Sequence, residues 1–208
     1  MGIRIPYIKY IEKYFLENVG DFNGKSMLEL GDQVMRGRVK PQEKTGKEYF
    51  ENKGMEHISI DMNGKHGALS HDLSKPIINP NWVNHFDIIT NLGTTEHVEP
   101  QSGQYDCFRN IHNFLKVSGI VVHILPDIET RKANGVIRKH ANNYYKESFF
   151  KMLECNGVCK IINFKRKMSN YFVCIKKISD APFMDNRDEF TSHLIEEEGG
   201  KIWKGING

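Results

Sequence analysis

The sequence predicts an α/β protein built on a doubly wound, mostly parallel seven-stranded sheet with an antiparallel C-terminal hairpin. Short apolar runs alternate with amphipathic segments, which is the pattern of parallel strands joined by helices. Acidic residues stand at the ends of several runs, where open sheets bind their ligands. The last two apolar runs are joined by a connection too short for a crossover, so they should pair antiparallel.

The first part of the chain supplies a helix and two strands. Apolar side chains recur on one helical face over 6–18. The run 26–30 (SMLEL) precedes a glycine and predicts a buried strand with a tight turn, and 57–61 (HISID) predicts the next strand. The basic stretch 33–47 between them is expected to be a loop. It could be a solvated surface excursion or a flap that helps to hold an anionic ligand.

The middle of the chain continues the alternation. Residues 68–72 predict a weak third strand, and 86–91 (FDIITN) predict a fourth strand rich in Ile and Thr. An amphipathic helix is predicted over 104–116. The run 120–125 (IVVHIL) is nearly all apolar, which indicates a central strand buried on both faces.

The C-terminal part predicts one more helix, over 144–156, and then the hairpin strands 158–164 and 171–175. We therefore expect one domain over 1–178, including the N-terminal helix. A charged tail is expected over 179–208, with a helix over 188–198 and disorder among the last residues.

Composition sets the class of protein. The chain has 208 residues, 39% of them hydrophobic and 26% charged, which suits one globular domain. It has no apolar run near the ~20 residues of a membrane span and no secretory signal, so a cytoplasmic location is expected. The four cysteines form no CxxC pair and are expected to be buried thiols in a reducing compartment, with no metal site. A net charge of +3 is too mild to imply a nucleic-acid partner by itself, and none is expected.

Five pieces of the chain, taken in order, carry a resemblance to a known family. They are 29–31 (ELG), Asp61 at the end of the second strand, 71–73 (HDL), 86–98 (FDIITNLGTTEHV) and 115–119 (LKVSG). Together they resemble the motifs of the class I S-adenosylmethionine-dependent methyltransferases. The resemblance implies a Rossmann-like methyltransferase fold and S-adenosylmethionine as the cofactor.

The resemblance also implies which residues would bind the cofactor. Asp61 would accept hydrogen bonds from the ribose hydroxyls, and Asp72 from the adenine amino group; the alternative for both is a turn or cap acid. The expected cofactor-binding residues are Glu29, Gly31, Asp32 and Gln33 beside the methionine and ribose, Asp61 and Met62, then His71, Asp72 and Leu73, and Asn91, Leu92 and Gly93 near the sulfonium.

One residue departs from the family pattern. Gln33 stands where the first motif usually has its second glycine, so its side chain must turn away from the cofactor or bind it. This departure leaves open an alternative, a non-catalytic binding or interaction module with the same fold. A dinucleotide-dependent reductase would need G-x-G-x-x-G after the first strand, and Gly31 does not begin that motif.

His97 is the candidate general base and Glu96 the residue that could orient it. In the alternative interpretation this pair packs the turn after the fourth strand. His123 is expected to be a satisfied core histidine. The predicted reaction is methyl transfer by in-line attack on the sulfonium, with a small-molecule acceptor that could be sugar-like or anionic. The sequence does not indicate an oligomeric state.

Overall fold

The computed structural model describes residues 2–37, 42–127, 141–154 and 157–196. The strands are β1 (Gly2–Ile3), β2 (Ser26–Leu30), β3 (Val34–Met35), β4 (Glu56–Ile60), β5 (Phe86–Leu92), β6 (Leu115–Pro126), β7 (Asn143–Tyr145), β8 (Cys159–Lys167), β9 (Asn170–Lys177) and β10 (Leu194–Glu196). The helices are α1 (Ile5–Asn18), α2 (Gly46–Glu51), α3 (Gly103–Phe114), α4 (Glu147–Glu154) and α5 (Arg187–Ser192).

The main sheet has six strands in the order β4-β2-β5-β6-β9-β8. The strands β4, β2, β5 and β6 are parallel, whereas β9 runs antiparallel to β6 and β8 antiparallel to β9. The predicted mostly parallel sheet with a C-terminal hairpin is therefore confirmed. Because the parallel strands share a direction, their carboxyl ends meet at one edge of the sheet.

Two hydrophobic clusters cover the two faces of this sheet. Met27 and Leu28 are adjacent in β2 and belong to different clusters, as alternation along a strand requires. Phe15 of α1 packs in the cluster that contains Met27. Phe108 of α3 and Phe149 of α4 pack in the cluster that contains Leu28. The sheet is thus wound on both sides, and its polar strand ends are left for a ligand.

The predicted third strand over 68–72 is wrong as a strand. Leu69 alone pairs with Ile60 in an isolated parallel bridge, so the sheet in the described ranges has six strands rather than seven. Leu69 is 46% exposed and polar residues follow it, so the small side chain of Ala68 is the only buried apolar group in this segment. The turn that Asp72 forms with Ser74 then ends the extended stretch.

Several predicted boundaries shift because short strands replace helical turns. The helix predicted over 144–156 begins at Glu147, since β7 pairs with β10. The helix predicted over 188–198 ends at Ser192 for the same reason. Within 33–47, β3 pairs in parallel with β1, while 38–41 lie outside the described residues.

Residues 179–196 pack on the core. Phe190 of α5 is fully buried against Tyr105, Phe108 and Phe149, and the Tyr105 hydroxyl donates to the Met184 carbonyl oxygen at 2.5 Å. The division of the chain at 178 stays a prediction, and 197–208 lie outside the described residues.

Among the described parts of the chain, no helix is long and apolar enough to cross a membrane. Cys107 and Cys174 are buried and Cys159 is half-buried, and all three are free thiols. Burial raises the pKa of Cys174 to about 12 and that of Cys159 to about 11, so neither thiol is activated. Cys155 lies outside the described residues.

Candidate functional site

A cavity of about 380 Å³ opens at the carboxyl ends of β4 and β5. Its volume falls within the range of small-molecule sites, and its place is where open α/β sheets bind ligands. The residues that line it are Ile60, Asp61, Met62, Asn63, His71, Asp72, Leu73, Thr94, His97, Val98 and Glu99. Six of the predicted site residues are therefore brought together here, namely Asp61, Met62, His71, Asp72, Leu73 and His97.

Asp61 is held in position by the backbone on both sides of it. One carboxylate oxygen accepts from the Asp32 amide at 2.9 Å, and the other accepts from the Asn63 amide at 3.0 Å. A carboxylate oxygen has two lone pairs, so each oxygen keeps one for a ligand. The residue is half-buried at the end of β4 and presents a fixed bidentate acceptor to the cavity.

Asp72 is more fully engaged by its own turn. One oxygen accepts from the amide and hydroxyl of Ser74 at 3.0 and 2.6 Å, and the other lies 2.8 Å from the Lys75 ammonium. Burial acts to raise the pKa of Asp72, but the hydrogen bonds from Lys75 and Ser74 outweigh it, so the pKa is lowered. The turn-forming role considered for Asp72 is therefore present alongside its place in the cavity.

The loop after β2 turns at Gly31, whose φ is +86°. A Cβ there would collide with the Thr94 side chain, so the sequence needs glycine at this position. Asp32 follows, nearly buried, with a carboxylate oxygen 2.6 Å from Nδ1 of His66. Neither Gly31 nor Asp32 is among the residues that line the cavity.

Glu29 was expected beside the cofactor, but it lies beneath this loop. It is 1% exposed, and one oxygen accepts from the Gln33 amide and the Ser59 hydroxyl, each at 3.3 Å. The other oxygen lies 3.8 Å from Nε2 of His57. Burial raises the pKa of Glu29 to about 8 and lowers that of His57 to about 3, so the buried pair favours its uncharged form.

The Gln33 side chain folds inward between the ends of β2 and β5. Its Nε2 donates to the Leu92 carbonyl oxygen at 3.2 Å and has longer contacts of 3.5 Å with the Leu30 carbonyl oxygen and the Thr94 hydroxyl. The Thr94 hydroxyl itself donates to the Leu30 carbonyl oxygen at 2.6 Å. Gln33 is fully buried, and its Oε1 has no hydrogen-bond partner among the residues that the structure describes.

Asn91 and Leu92 end β5 and Gly93 follows it, and none of the three lines the cavity. Asn91 is fully buried; its Nδ2 donates to Thr95 Oγ1 at 2.8 Å and to His123 Nδ1 at 3.0 Å. Burial lowers the pKa of His123 to about 3, so this histidine is a neutral core residue, as predicted. These residues position the turn after β5 instead of touching the cavity.

His97 and Glu96 lie in that turn. His97 lines the cavity, and its Nε2 is 3.8 Å from Oε1 of the buried Glu96. This distance is too long for a hydrogen bond but short enough for electrostatic interaction. Gln104 fixes the turn by donating to the carbonyl oxygens of Thr95 and Val98 at 2.6 and 2.9 Å.

No protein-family model and no curated protein sequence matches the chain. Many solved structures are similar to it at low sequence identity. An S-adenosylmethionine-dependent methyltransferase from Clostridium acetobutylicum is 14% identical, with a TM-score of 0.56 over 82% of this chain and 90% of that one. The class I methyltransferase fold is the fold of this chain.

Two further methyltransferases share this fold. The 1,6-didemethyltoxoflavin-N1-methyltransferase of Burkholderia thailandensis is 13% identical, with a TM-score of 0.53 over 80% of this chain and 76% of that one. The N-methyltransferase NodS of Bradyrhizobium japonicum is 10% identical, with a TM-score of 0.53 over 84% and 88%. Both of those structures contain S-adenosylhomocysteine. The recognition of the methyltransferase fold from the sequence is confirmed.

Sequence reasoning missed several contacts of this methyltransferase-fold site. Thr94 is not among the predicted site residues, yet it lines the cavity and bonds to the end of β2. His66 is not among them either, and it pairs with Asp32. The one feature of the sequence that indicates a place for Thr94 in the site is its position next to Gly93 at the end of a strand. The partner of His66 depends on a turn after β4 that no motif marks.

Proposed function

We propose that this protein is an S-adenosylmethionine-dependent methyltransferase that acts on a small-molecule acceptor. The observation that carries the proposal is the fixed bidentate Asp61 at the end of β4, inside a cavity of about 380 Å³. A bidentate hydrogen-bond acceptor such as this carboxylate suits the two neighbouring hydroxyls of a ribose. The fold agrees, because two neighbours with this fold contain S-adenosylhomocysteine.

The residues present fit the nucleoside part of the cofactor. The cavity combines carboxylates at Asp61 and Asp72 with apolar walls from Met62, Leu73 and Val98. Carboxylates accept from hydroxyl and amino groups, while apolar walls can pack against an adenine ring. The Gly31 turn leaves no room for a side chain, as expected where the backbone must pass close to its neighbours.

When bound, S-adenosylmethionine would supply an activated methyl group on its sulfonium. The chain then has to hold the acceptor in line and exclude water, which can provide a large part of the rate enhancement. His97 lines the cavity on the side of the β5 turn and is the residue we assign as general base, with help worth roughly 10²–10⁴-fold if the acceptor must lose a proton. The buried Glu96 would stabilise the protonated imidazole from 3.8 Å.

The acceptor is proposed as a small molecule. One fold neighbour is named for methylation of a small heterocycle, 1,6-didemethyltoxoflavin, which supports the class but not the compound. A sugar-like or anionic acceptor remains within the proposal, because Arg36 and Lys44 are exposed near the loop that follows β2. A cytoplasmic location likewise remains a proposal.

The second candidate is a binding module with the same fold and no catalysis. The observation that favours it is Gln33, whose side chain fills the space between the ends of β2 and β5. The two candidates differ in whether the chain binds the complete cofactor.

Titration calorimetry separates them. The purified protein is titrated with S-adenosylmethionine and with S-adenosylhomocysteine, with NAD as a control ligand and Asp61→Ala beside the wild type. Micromolar binding that Asp61→Ala abolishes supports the enzyme, and an acceptor screen with His97→Asn as the catalytic comparison follows. Absence of binding of either ligand at millimolar concentration would reject the proposal.

A further inference from the structure

The ends of β2 and β5 are joined by two side-chain hydrogen bonds. The Thr94 hydroxyl donates to the Leu30 carbonyl oxygen at 2.6 Å, and Gln33 Nε2 donates to the Leu92 carbonyl oxygen at 3.2 Å. The two side chains also contact each other at 3.5 Å. We call this pair the Gln33–Thr94 latch. It closes the crevice between two neighbouring parallel strands at the edge where the ligand cavity opens.

The latch occupies acceptors that a positively charged ligand group would use. Main-chain carbonyl oxygens at strand ends are good acceptors for an ammonium group, and such charge-assisted bonds are stronger than those from a neutral amide. The Gln33 carboxamide nitrogen donates to the Leu92 oxygen, an acceptor that an ammonium group could also use. A cationic group can therefore compete with Gln33 for this position.

The closed latch is itself incompletely satisfied. Gln33 is fully buried, yet within the described parts of the chain its Oε1 has no hydrogen-bond partner. A buried acceptor without a donor weakens the closed arrangement, because the same oxygen would be hydrated if the side chain turned outward. The latch thus combines bonds that hold it closed with one unsatisfied atom that favours opening.

We propose that the Gln33–Thr94 latch makes the site discriminate between nucleoside ligands by their aminoacyl end, admitting the complete cofactor only when Gln33 leaves the crevice. This proposal rests on the proposed function, because the cofactor is the ligand that carries an α-ammonium group. A nucleoside without that end would occupy the cavity beside Asp61 and leave the latch closed.

The test compares three ligands against the full chain and three variants. The ligands are S-adenosylmethionine, S-adenosylhomocysteine and 5′-methylthioadenosine, which has the nucleoside but no aminoacyl end. The variants are Gln33→Ala, Thr94→Val and a matched control, Thr90→Val. Thr90 lies in β5, and its buried hydroxyl has no hydrogen-bond partner in the described ranges. Thermal unfolding of each variant verifies that it is folded. If Thr94→Val does not fold, Gln33→Ala alone suffices for the test.

We expect Gln33→Ala to raise the affinity for the two aminoacyl ligands by about tenfold, the effect of removing one competing hydrogen bond. The affinity for 5′-methylthioadenosine should change less than about threefold, and Thr90→Val should change none of the three. An unchanged ratio between the ligands, or a loss of cofactor affinity in Gln33→Ala, overturns the latch while leaving the proposed function standing. If no variant binds either aminoacyl ligand, the proposed function fails and the latch fails with it.

Discussion

The two parts of the ligand-binding edge are built in opposite ways. Beside β4, Asp61 is fixed by two backbone amides and keeps free lone pairs facing an open cavity. Between β2 and β5, Gln33 and Thr94 bond to the strand ends and close the crevice. Under the proposed function the first part is ready to bind a ligand, and under the proposed latch the second must open before the aminoacyl end enters. This difference indicates that nucleoside recognition and recognition of the aminoacyl end can be separated by mutation.

The largest effect is expected at Asp61. Asp61→Ala removes a bidentate acceptor, and two charge-assisted hydrogen bonds of about 1.5–3 kcal/mol each correspond to at least about a 100-fold loss of affinity. The loss should be equal for S-adenosylmethionine and 5′-methylthioadenosine, measured by calorimetry, because both carry the ribose. Asp21→Ala, at an exposed acid before β2, is the control. A loss confined to the aminoacyl ligand would contradict the division of the site.

The next largest effect is expected on the stability of the protein at Glu29, the buried acid beneath the loop that follows β2. Burial raises the pKa of Glu29 from 4.5 to about 8, so the folded chain keeps a proton that the unfolded chain releases. Its contribution to stability is therefore complete below pH 4.5 and is lost as the pH rises to about 8. Glu29→Gln, which resembles the protonated acid, should be more stable than the wild type at pH 8 by about 1.4 kcal/mol or more.

Denaturant unfolding at pH 5 and pH 8 measures this difference. Glu29→Gln and the wild type should differ little at pH 5 and clearly at pH 8. Glu56→Gln, at an exposed acid of β4, is the control. Its free energy of unfolding should change between pH 5 and pH 8 by as much as that of the wild type. A variant that is equally destabilised at both pH values would show that Glu29 acts as a charged group.

A smaller effect is expected at the start of α2. The Thr45 hydroxyl accepts from the Glu48 amide at 3.1 Å, and the next amide, of Gly46, donates to the Gln33 carbonyl oxygen at 2.8 Å. Thr45→Ala should lower the free energy of unfolding by about 1 kcal/mol, the usual value of a helix N-cap, in urea titrations. Thr45→Ser keeps the hydroxyl and should restore stability; a serine variant as unstable as alanine would show that the methyl group matters instead.

The smallest effect is expected at Asp72. Its oxygens are already bonded to Ser74 and Lys75, and the pair with Lys75 lies at the surface. Asp72→Asn keeps an acceptor toward Ser74, so 5′-methylthioadenosine should lose no more than about threefold in affinity, since exposed ion pairs contribute little. A loss as large as that of Asp61→Ala would mean that Asp72 is a principal nucleoside ligand.

The sheet and the open part of the site follow from local patterns, and this is why the sequence predicts them. Strand runs such as 86–91 combine β-branched residues with burial, and an acid at a strand end, as at Asp61, falls at the ligand edge of any parallel sheet. The strand over 68–72 was overpredicted because a single pairing at Leu69 cannot hold polar residues against the sheet.

The closed part could not be predicted in this way. The positions of Gln33 and Thr94 depend on where two chain segments 61 residues apart meet. The sequence marks Gln33 as a departure from the glycine pattern, but it does not specify the direction of its side chain. Likewise, the burial of Glu29 beneath the loop depends on the amide of Gln33 and the hydroxyl of Ser59, which come from different elements.

A crystal structure of the protein with S-adenosylhomocysteine would observe both parts of the site in one experiment. We expect the adenosine to contact Asp61 in the cavity and the Gln33 side chain no longer to bond to the Leu92 carbonyl oxygen. A ligand outside the cavity would contradict the proposed function. A ligand whose aminoacyl end is bound while Gln33 remains bonded to Leu92 would contradict the latch.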